Sequence, residues 1–160
     1  MNTGVLDRES RATVEDHRAL RLWLRLLTCS QLIERHVRSR LRSRFDTTLP
    51  RFDLMSQLER HPAGLKMGEL SRLLMVTGGN VTGIVDQLVK EGLVERLDDA
   101  SDRRAWRVKL TRAGDKAFAE MARAHEEWVV ALLAGLTRKE SDALMQLLAR
   151  LKEVTLENSA

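Results

Sequence analysis

Three groups of side chains in this sequence have the type and spacing to do chemistry. The first is the run Thr77-Gly78-Gly79-Asn80-Val81-Thr82-Gly83. An asparagine can pair bidentately with adenine, and a threonine can touch a thymine methyl or a phosphate. Gly78, Gly79 and Gly83 each cost a helix about 1 kcal/mol relative to alanine, and close approach of backbone to a sugar–phosphate strand would offset that cost. The second group is Asp102-Arg103-Arg104. An arginine on a protruding loop can enter a narrow minor groove, where the potential is most negative. Asp102 can hold Arg104 by a charge-assisted hydrogen bond. The third is the series Arg35, Arg38, Arg40, Arg42 and Arg44. Arg35, Arg38 and Arg42 share one helix face by their spacing, either as a solvated face or as an anion site for a ligand or for phosphates.

The elements that would position these groups follow from hydrophobic periodicity. Leu22, Leu26, Cys29, Ile33, Val37 and Leu41 recur at spacings of three and four and predict a long helix from Ala19 to Arg44. Leu20, Leu24 and Leu27 add a second stripe on its first half, and a helix apolar on two sides touches both its own core and a partner. Asp46-Thr-Thr-Leu-Pro50 punctuates, and Phe52, Met55 and Leu58 define a short helix to Arg60 that His61-Pro-Ala-Gly64 breaks. Met67, Leu70, Leu73 and Leu74 carry the next helix, with a turn at Met75-Val76.

Thr77 is the expected N-cap of a helix from Gly78 to Glu91, which Gly92 ends. Its inner face would be Val81, Ile84, Val85, Leu88 and Val89, leaving Asn80, Thr82, Asp86 and Gln87 outward. Leu93–Arg96 and Trp106–Leu110 read as two strands around a polar loop. Thr111 should cap a long helix, and Thr137-Arg-Lys-Glu140 is a capping box opening the last one. Two short helices, a strand, a charged loop and a second strand are the order of a winged helix-turn-helix.

Composition narrows the class. The chain has 160 residues, 43% hydrophobic and 31% charged, enough for one ordered domain with a core. Its net charge of +4 is compatible with nucleic acid. One cysteine excludes an internal disulfide and suits a reducing cytoplasm. The sequence contains no apolar run of signal or membrane-span length, so no membrane association is expected. No phosphate loop, Ser/His/Asp set, zinc motif or dinucleotide fingerprint is present, which argues against an enzyme and against a cofactor. His17, His36, His61 and His125 have no ligand-spaced pair, so no metal site is expected.

The stretch from Met67 to Arg112 resembles the MarR family of bacterial transcriptional regulators. The resemblance is carried by Gly68-Glu-Leu-Ser-Arg-Leu-Leu74, Val76-Thr77, Val81-Thr82, Leu88-Val-Lys-Glu-Gly-Leu-Val-Glu-Arg96, Asp102-Arg-Arg104 and Leu110-Thr-Arg-Ala-Gly114, and it covers residues 20–155. It implies a mainly α fold with a small β wing, six helices and an intertwined homodimer that binds a palindromic operator in double-stranded DNA. It divides the chain into a flexible arm (1–18), a first dimerisation helix (19–48), a winged helix-turn-helix (49–112) and C-terminal dimerisation helices (113–160). Thr77, Gly78, Gly79, Asn80, Thr82 and Gly83 fall at the groove-facing start of the recognition helix, with Arg103 and Arg104 at the wing supported by Asp102.

Family members release DNA when a small, often aromatic, acid binds between the dimerisation and DNA-binding parts. The run Thr47 to Met55 looks like members that control aromatic-acid catabolism, some of which respond to an acyl-CoA thioester. Arg35, Arg38, Arg42 and Arg51 would then meet phosphates, and His36, Phe52, Met55, His125 and Trp128 would line the apolar part. The expected function is a ligand-responsive repressor. The alternative is a redox-responsive repressor using Cys29, set against a position on the apolar stripe where cysteine is most often a buried hydrophobe. Peroxide-sensing members also use tyrosines, and this chain has none.

Overall fold

The computed structural model describes residues 18–74, 80–98 and 106–159. The expected arm up to residue 17, the turn at Met75-Val76, and Thr77, Gly78, Gly79, Asp102, Arg103 and Arg104 lie outside the described residues. The chain divides into two units, 1–126 and 127–160.

The elements run α1 (Arg18–Phe45), α2 (Leu49–Glu59), β1 (Leu65–Lys66), α3 (Met67–Leu73), α4 (Val81–Lys90), β2 (Val94–Asp98), β3 (Trp106–Leu110), α5 (Arg112–Leu133) and α6 (Arg138–Glu157). Six helices and a small antiparallel sheet among the described residues match the expected fold class. The sheet order is β1-β3-β2, with Val94 opposite Leu110 and Leu65 opposite Val108. β1 is an addition to the two strands expected. Two residues show no alternation, and this strand exists only because β3, far along the chain, supplies its partner. Gly64 makes the approach possible: its φ is +82°, and a Cβ there would lie 2.9 Å from the Val108 carbonyl oxygen. Arg107 Nη1 donates to the Gly64 carbonyl at 2.7 Å and closes that edge.

Local chemistry sets the helix limits. Thr48 caps α2, its hydroxyl accepting from Arg51 N–H at 3.4 Å, and Pro50 sits in the first turn where no donor is missed. α4 ends in a Schellman motif: Leu93 N–H reaches the Leu88 carbonyl at 2.9 Å and Gly92 N–H reaches Val89 at 3.0 Å, with Gly92 at φ +73°. Thr137 and Glu140 form the anticipated capping box of α6, each side chain meeting the other residue's backbone N–H.

The core lies in the first unit. Leu41 of α1, Leu54, Met55 and Leu58 of α2, Leu70 of α3, Val85 and Leu88 of α4, Val94 of β2 and Val108 of β3 are almost wholly buried. Each such side chain contributes about 1.5–3 kcal/mol by leaving water. The first half of α1 contrasts with this: Leu22 is 59% exposed, and Leu20, Trp23 and Leu32 are open as well. Cys29, expected to be a buried hydrophobe, is exposed here. In the second unit Val130, Leu144, Met145, Leu147, Leu148 and Leu156 are all exposed, and α6 buries none of its residues.

The junction of α4, β2 and α5 is closely packed and hydrogen-bonded. Thr111 donates its hydroxyl to the Gly92 carbonyl at 2.7 Å and accepts from Gly114 N–H at 3.0 Å. Its own N–H bonds the Leu93 carbonyl at 3.0 Å. A Cβ on Gly114 would fall 1.9 Å from that same carbonyl oxygen. Gly114→Ala should therefore destabilise the chain by about 1–3 kcal/mol or more, because backbone rather than a side-chain end must move. A lowered urea midpoint with an unchanged slope checks this.

Candidate nucleic-acid interface

α4 is amphipathic in the sense that a groove-reading helix requires. Val85 and Leu88 are buried, Val81, Ile84 and Val89 half-buried, while Asn80, Thr82, Asp86, Gln87 and Lys90 are exposed or nearly so. The faces agree with the periodicity of the sequence. The start does not: the helix begins at Val81, with Asn80 rather than Thr77 as its cap. Asn80 Oδ1 accepts from Gly83 N–H at 2.8 Å. The missing side chain of Gly83 makes room for this, since a Cβ would lie 2.4 Å from Asn80 Nδ2. Gly83 therefore serves the helix cap, a local role the sequence alone does not assign to it. The cap bond takes one of the two lone pairs of Oδ1 and fixes the direction of the carboxamide; a contact to adenine from any other direction would forfeit the cap, a loss of about 1 kcal/mol.

Two guanidinium groups fix α4 against its neighbours. Arg51 of α2 makes a two-pronged ion pair with Glu91, one bond at 2.9 Å, at the C-cap of α4. Arg51, expected among phosphate-binding residues, is instead engaged by a carboxylate 40 positions away in sequence. The hydrogen bond from Arg51, ahead of the opposing effect of burial, holds the Glu91 carboxyl below its usual range. Arg96 of β2 pairs with Asp86 of α4 and lies over the ring of Trp106, 4.5 Å from its centroid. The Nε atoms of Arg51 and Arg96 are both buried without an acceptor. Each group is thus oriented mainly by its carboxylate.

Arg96, Asp86 and Trp106 belong to a cleft of about 540 Å³, whose wall also includes Lys66, Met67, Gly68 and Thr82. Sequence reasoning missed it. Trp106 shares the inward face of the hairpin with Val108 and Leu110, as alternation requires, but it lies past the end of the core and remains 47% exposed. A bulky aromatic at the distal end of a strand was the available signal.

The expected effector residues separate into smaller sets. On α1, Arg38 pairs with Glu34, Arg42 lies 3.8 Å from Asp46, Arg35 is exposed and His36 half-buried. Phe52 packs its ring 4.9 Å from His125 and 5.4 Å from Phe118. Met55 is a core residue, and Trp128 is buried in the second unit. Asp53, next to Phe52, carries no signal in the sequence. Burial raises its carboxyl above the usual range, and the nearby charge of Glu34 adds to this, while His125 and Arg38 oppose it.

This is the arrangement of a winged helix-turn-helix: a short helix, a second helix with an exposed polar face, and an antiparallel pair of strands running from Val94–Asp98 to Trp106–Leu110. Residues 45–105 match the model of the MarR family. The solved structure of a MarR family transcriptional regulator from Silicibacter pomeroyi is 33% identical and superposes with a TM-score of 0.76, covering 90% of this chain and 99% of that one. A cysteine-to-serine mutant of MarR from E. coli is 30% identical over 79% of this chain and 93% of its own, with a TM-score of 0.69. The same mutant complexed with operator DNA is 27% identical, covering 87% and 99%, with a TM-score of 0.72. The chain belongs to the MarR family and is a DNA-binding transcriptional regulator of that type.

The raised carboxyl of Asp53 has a defined consequence for stability. The protonated form is favoured by folding, so its contribution is present below the ordinary value of 3.8 and lost as pH rises through the raised one. At neutral pH the buried charge is a cost. Asp53→Asn should melt above the parent chain at pH 7.5, with the gap narrowing as pH falls toward 4. Thermal melts across that range check the direction.

Proposed function

We propose that the chain is a repressor that acts as a homodimer on a palindromic operator and is released by a small aromatic acid or its CoA thioester. One observation carries the DNA contact: α4 turns Thr82, Asp86 and Gln87 outward over buried Val85 and Leu88. A relative solved in complex with operator DNA supports reading this chain as a binder of duplex DNA. In this reading Thr77, Gly78, Gly79, Asn80 and Thr82 meet the major groove, and Arg103 and Arg104 reach the minor groove with Asp102 beside them. Residues 49–112 read DNA; 19–48 and 113–160 pair two copies.

Dimerisation is supported by the apolar area exposed among the described residues. Leu20, Leu22, Trp23 and Leu32 on α1, and Leu144, Met145, Leu147 and Leu148 on α6, are exposed well beyond what a lone soluble chain presents. A second copy covers such surface by symmetry. The effector reading rests on Arg35, His36, Phe52 and His125 on α1, α2 and α5, and on the acid-compatible arginines of α1. A redox-responsive repressor stands second, supported by the exposure of Cys29. Peroxide treatment that leaves DNA binding unchanged would remove it. The compartment that suits an operator-bound regulator with a single cysteine is the cytoplasm. No helix among the described residues is long and apolar enough to cross a membrane.

A gel shift with DNA upstream of the chain's own gene, at two salt concentrations, tests the reading. Binding that weakens steeply with salt is expected, and failure to bind that DNA or any selected duplex would sink it. Arg104→Ala should weaken binding by about 1–3 kcal/mol with the fold intact; an unchanged affinity removes the wing assignment. Leu148→Glu should yield monomers in sedimentation, and a variant that remains dimeric counts against α6 as interface. A thermal-shift screen of phenolic acids and their CoA thioesters should raise the melting temperature for the true effector class.

A further inference from the structure

The trio Asp86, Arg96 and Trp106 lines the cleft and ties α4 to the β2–β3 hairpin. Asp86 projects from the outer face of α4, Arg96 from β2, and Trp106 from the first residue of β3. On the hairpin, Arg96 is opposite Val108 and Trp106 is opposite Asp98, so Arg96 and Trp106 are diagonal neighbours on one face. Asp98 and Trp106 are the last paired positions described on the two strands. A flat guanidinium is suited to this position. It accepts a carboxylate in its plane and an aromatic ring on its face at the same time, which a lysine cannot do.

The charge arrangement has a second meaning. Asp86 would present a carboxylate to phosphates at the edge of the groove, where a negative charge repels. Arg96 neutralises it and draws it back toward the hairpin. We infer that Arg96 is a positioning residue: through Asp86 and Trp106 it sets the distance and angle between the recognition helix and the wing, and it contacts no phosphate itself. This rests on reading α4 and the hairpin as the DNA-facing elements. The pair is partly exposed, with 30% of the Arg96 and 54% of the Asp86 side chain open to solvent, so its weight falls on orientation more than on stability.

The sign of one substitution separates this from a phosphate contact. If Arg96 touched DNA, Asp86→Asn would free it and remove a repulsive charge, and binding would tighten. If Arg96 positions the wing, Asp86→Asn weakens binding although it makes the surface more positive. The probe is a duplex selected by the wild-type chain from a random pool, read by fluorescence anisotropy. Failure of the wild-type chain to select any duplex would refute the DNA reading itself, and is distinguishable from a failure of the positioning role, which only the variants reveal.

Asp86→Asn, Arg96→Met and Trp106→Leu should each lower affinity about tenfold, with thermal midpoints close to the parent. The double variant Asp86→Asn/Arg96→Met should be no weaker than either single one, because both break one unit. The slope of affinity against salt for Arg96→Met should match the parent, whereas loss of a phosphate contact would reduce it by about one ion. Additive losses in the double variant, a reduced salt slope, or tighter binding by Asp86→Asn would each overturn the assignment. A midpoint that collapses in Arg96→Met leaves the decision to isosteric Asp86→Asn, whose sign alone is sufficient.

Discussion

The packing of α4, the strand pair and α5 depends on one close approach, the α-carbon of Gly114 against the carbonyl of Leu93. That carbonyl belongs to the residue leaving α4 and entering β2. Thr111 completes the contact by bonding Gly92, Leu93 and Gly114 at once. α4, the hairpin and the long α5 therefore share a single corner. Any rotation of the start of α5 is felt at the end of α4 without passing through a flexible linker. The Leu-Thr-x-x-Gly pattern of the sequence is a packing requirement before it is a family mark.

From that corner α4 is steadied along its exposed flank by charge. Glu91 at its C-terminal end is held by Arg51 of α2, and Asp86 in its middle by Arg96 of β2. Partly exposed ion pairs contribute little to stability, but paired carboxylate–guanidinium contacts fix direction. The apolar side of the helix supplies the free energy through Val85 and Leu88. The N-terminal end is closed by a small polar cap, Asn80 on Gly83, which occupies one of the groups best suited to a base.

Much of this is legible in the sequence, where the controlling chemistry is local. Gly92 stops α4, Thr48 and Thr111 begin their helices, and the Thr137–Glu140 box opens α6, all from contacts at short range along the chain. The inner and outer faces of α4 follow from spacing. Features made by distant partners are not legible. β1 is two residues long and exists through β3. Arg51 resembles a phosphate ligand because nothing in the sequence points to Glu91, 40 positions on. The cap that Asn80 makes on Gly83 depends on the room left by the missing side chain at that glycine, which cap propensity alone does not reveal. The cleft at Arg96 and Trp106 is assembled from several elements and has no linear pattern.

The uncovered leucines of α6 bear on how the protein reports its own abundance. A helix that buries none of its residues has no fold to fall back on when alone. In the proposed homodimer, folding of this part and pairing of two chains are one equilibrium, so its stability rises with the concentration of the chain itself. A cell holding few copies would keep a larger share of them incomplete and unable to grip both half-sites. The threshold at which genes become silenced would then be steeper in protein level than a preassembled reader allows. That steepness would be written into the exposed face of a single C-terminal helix.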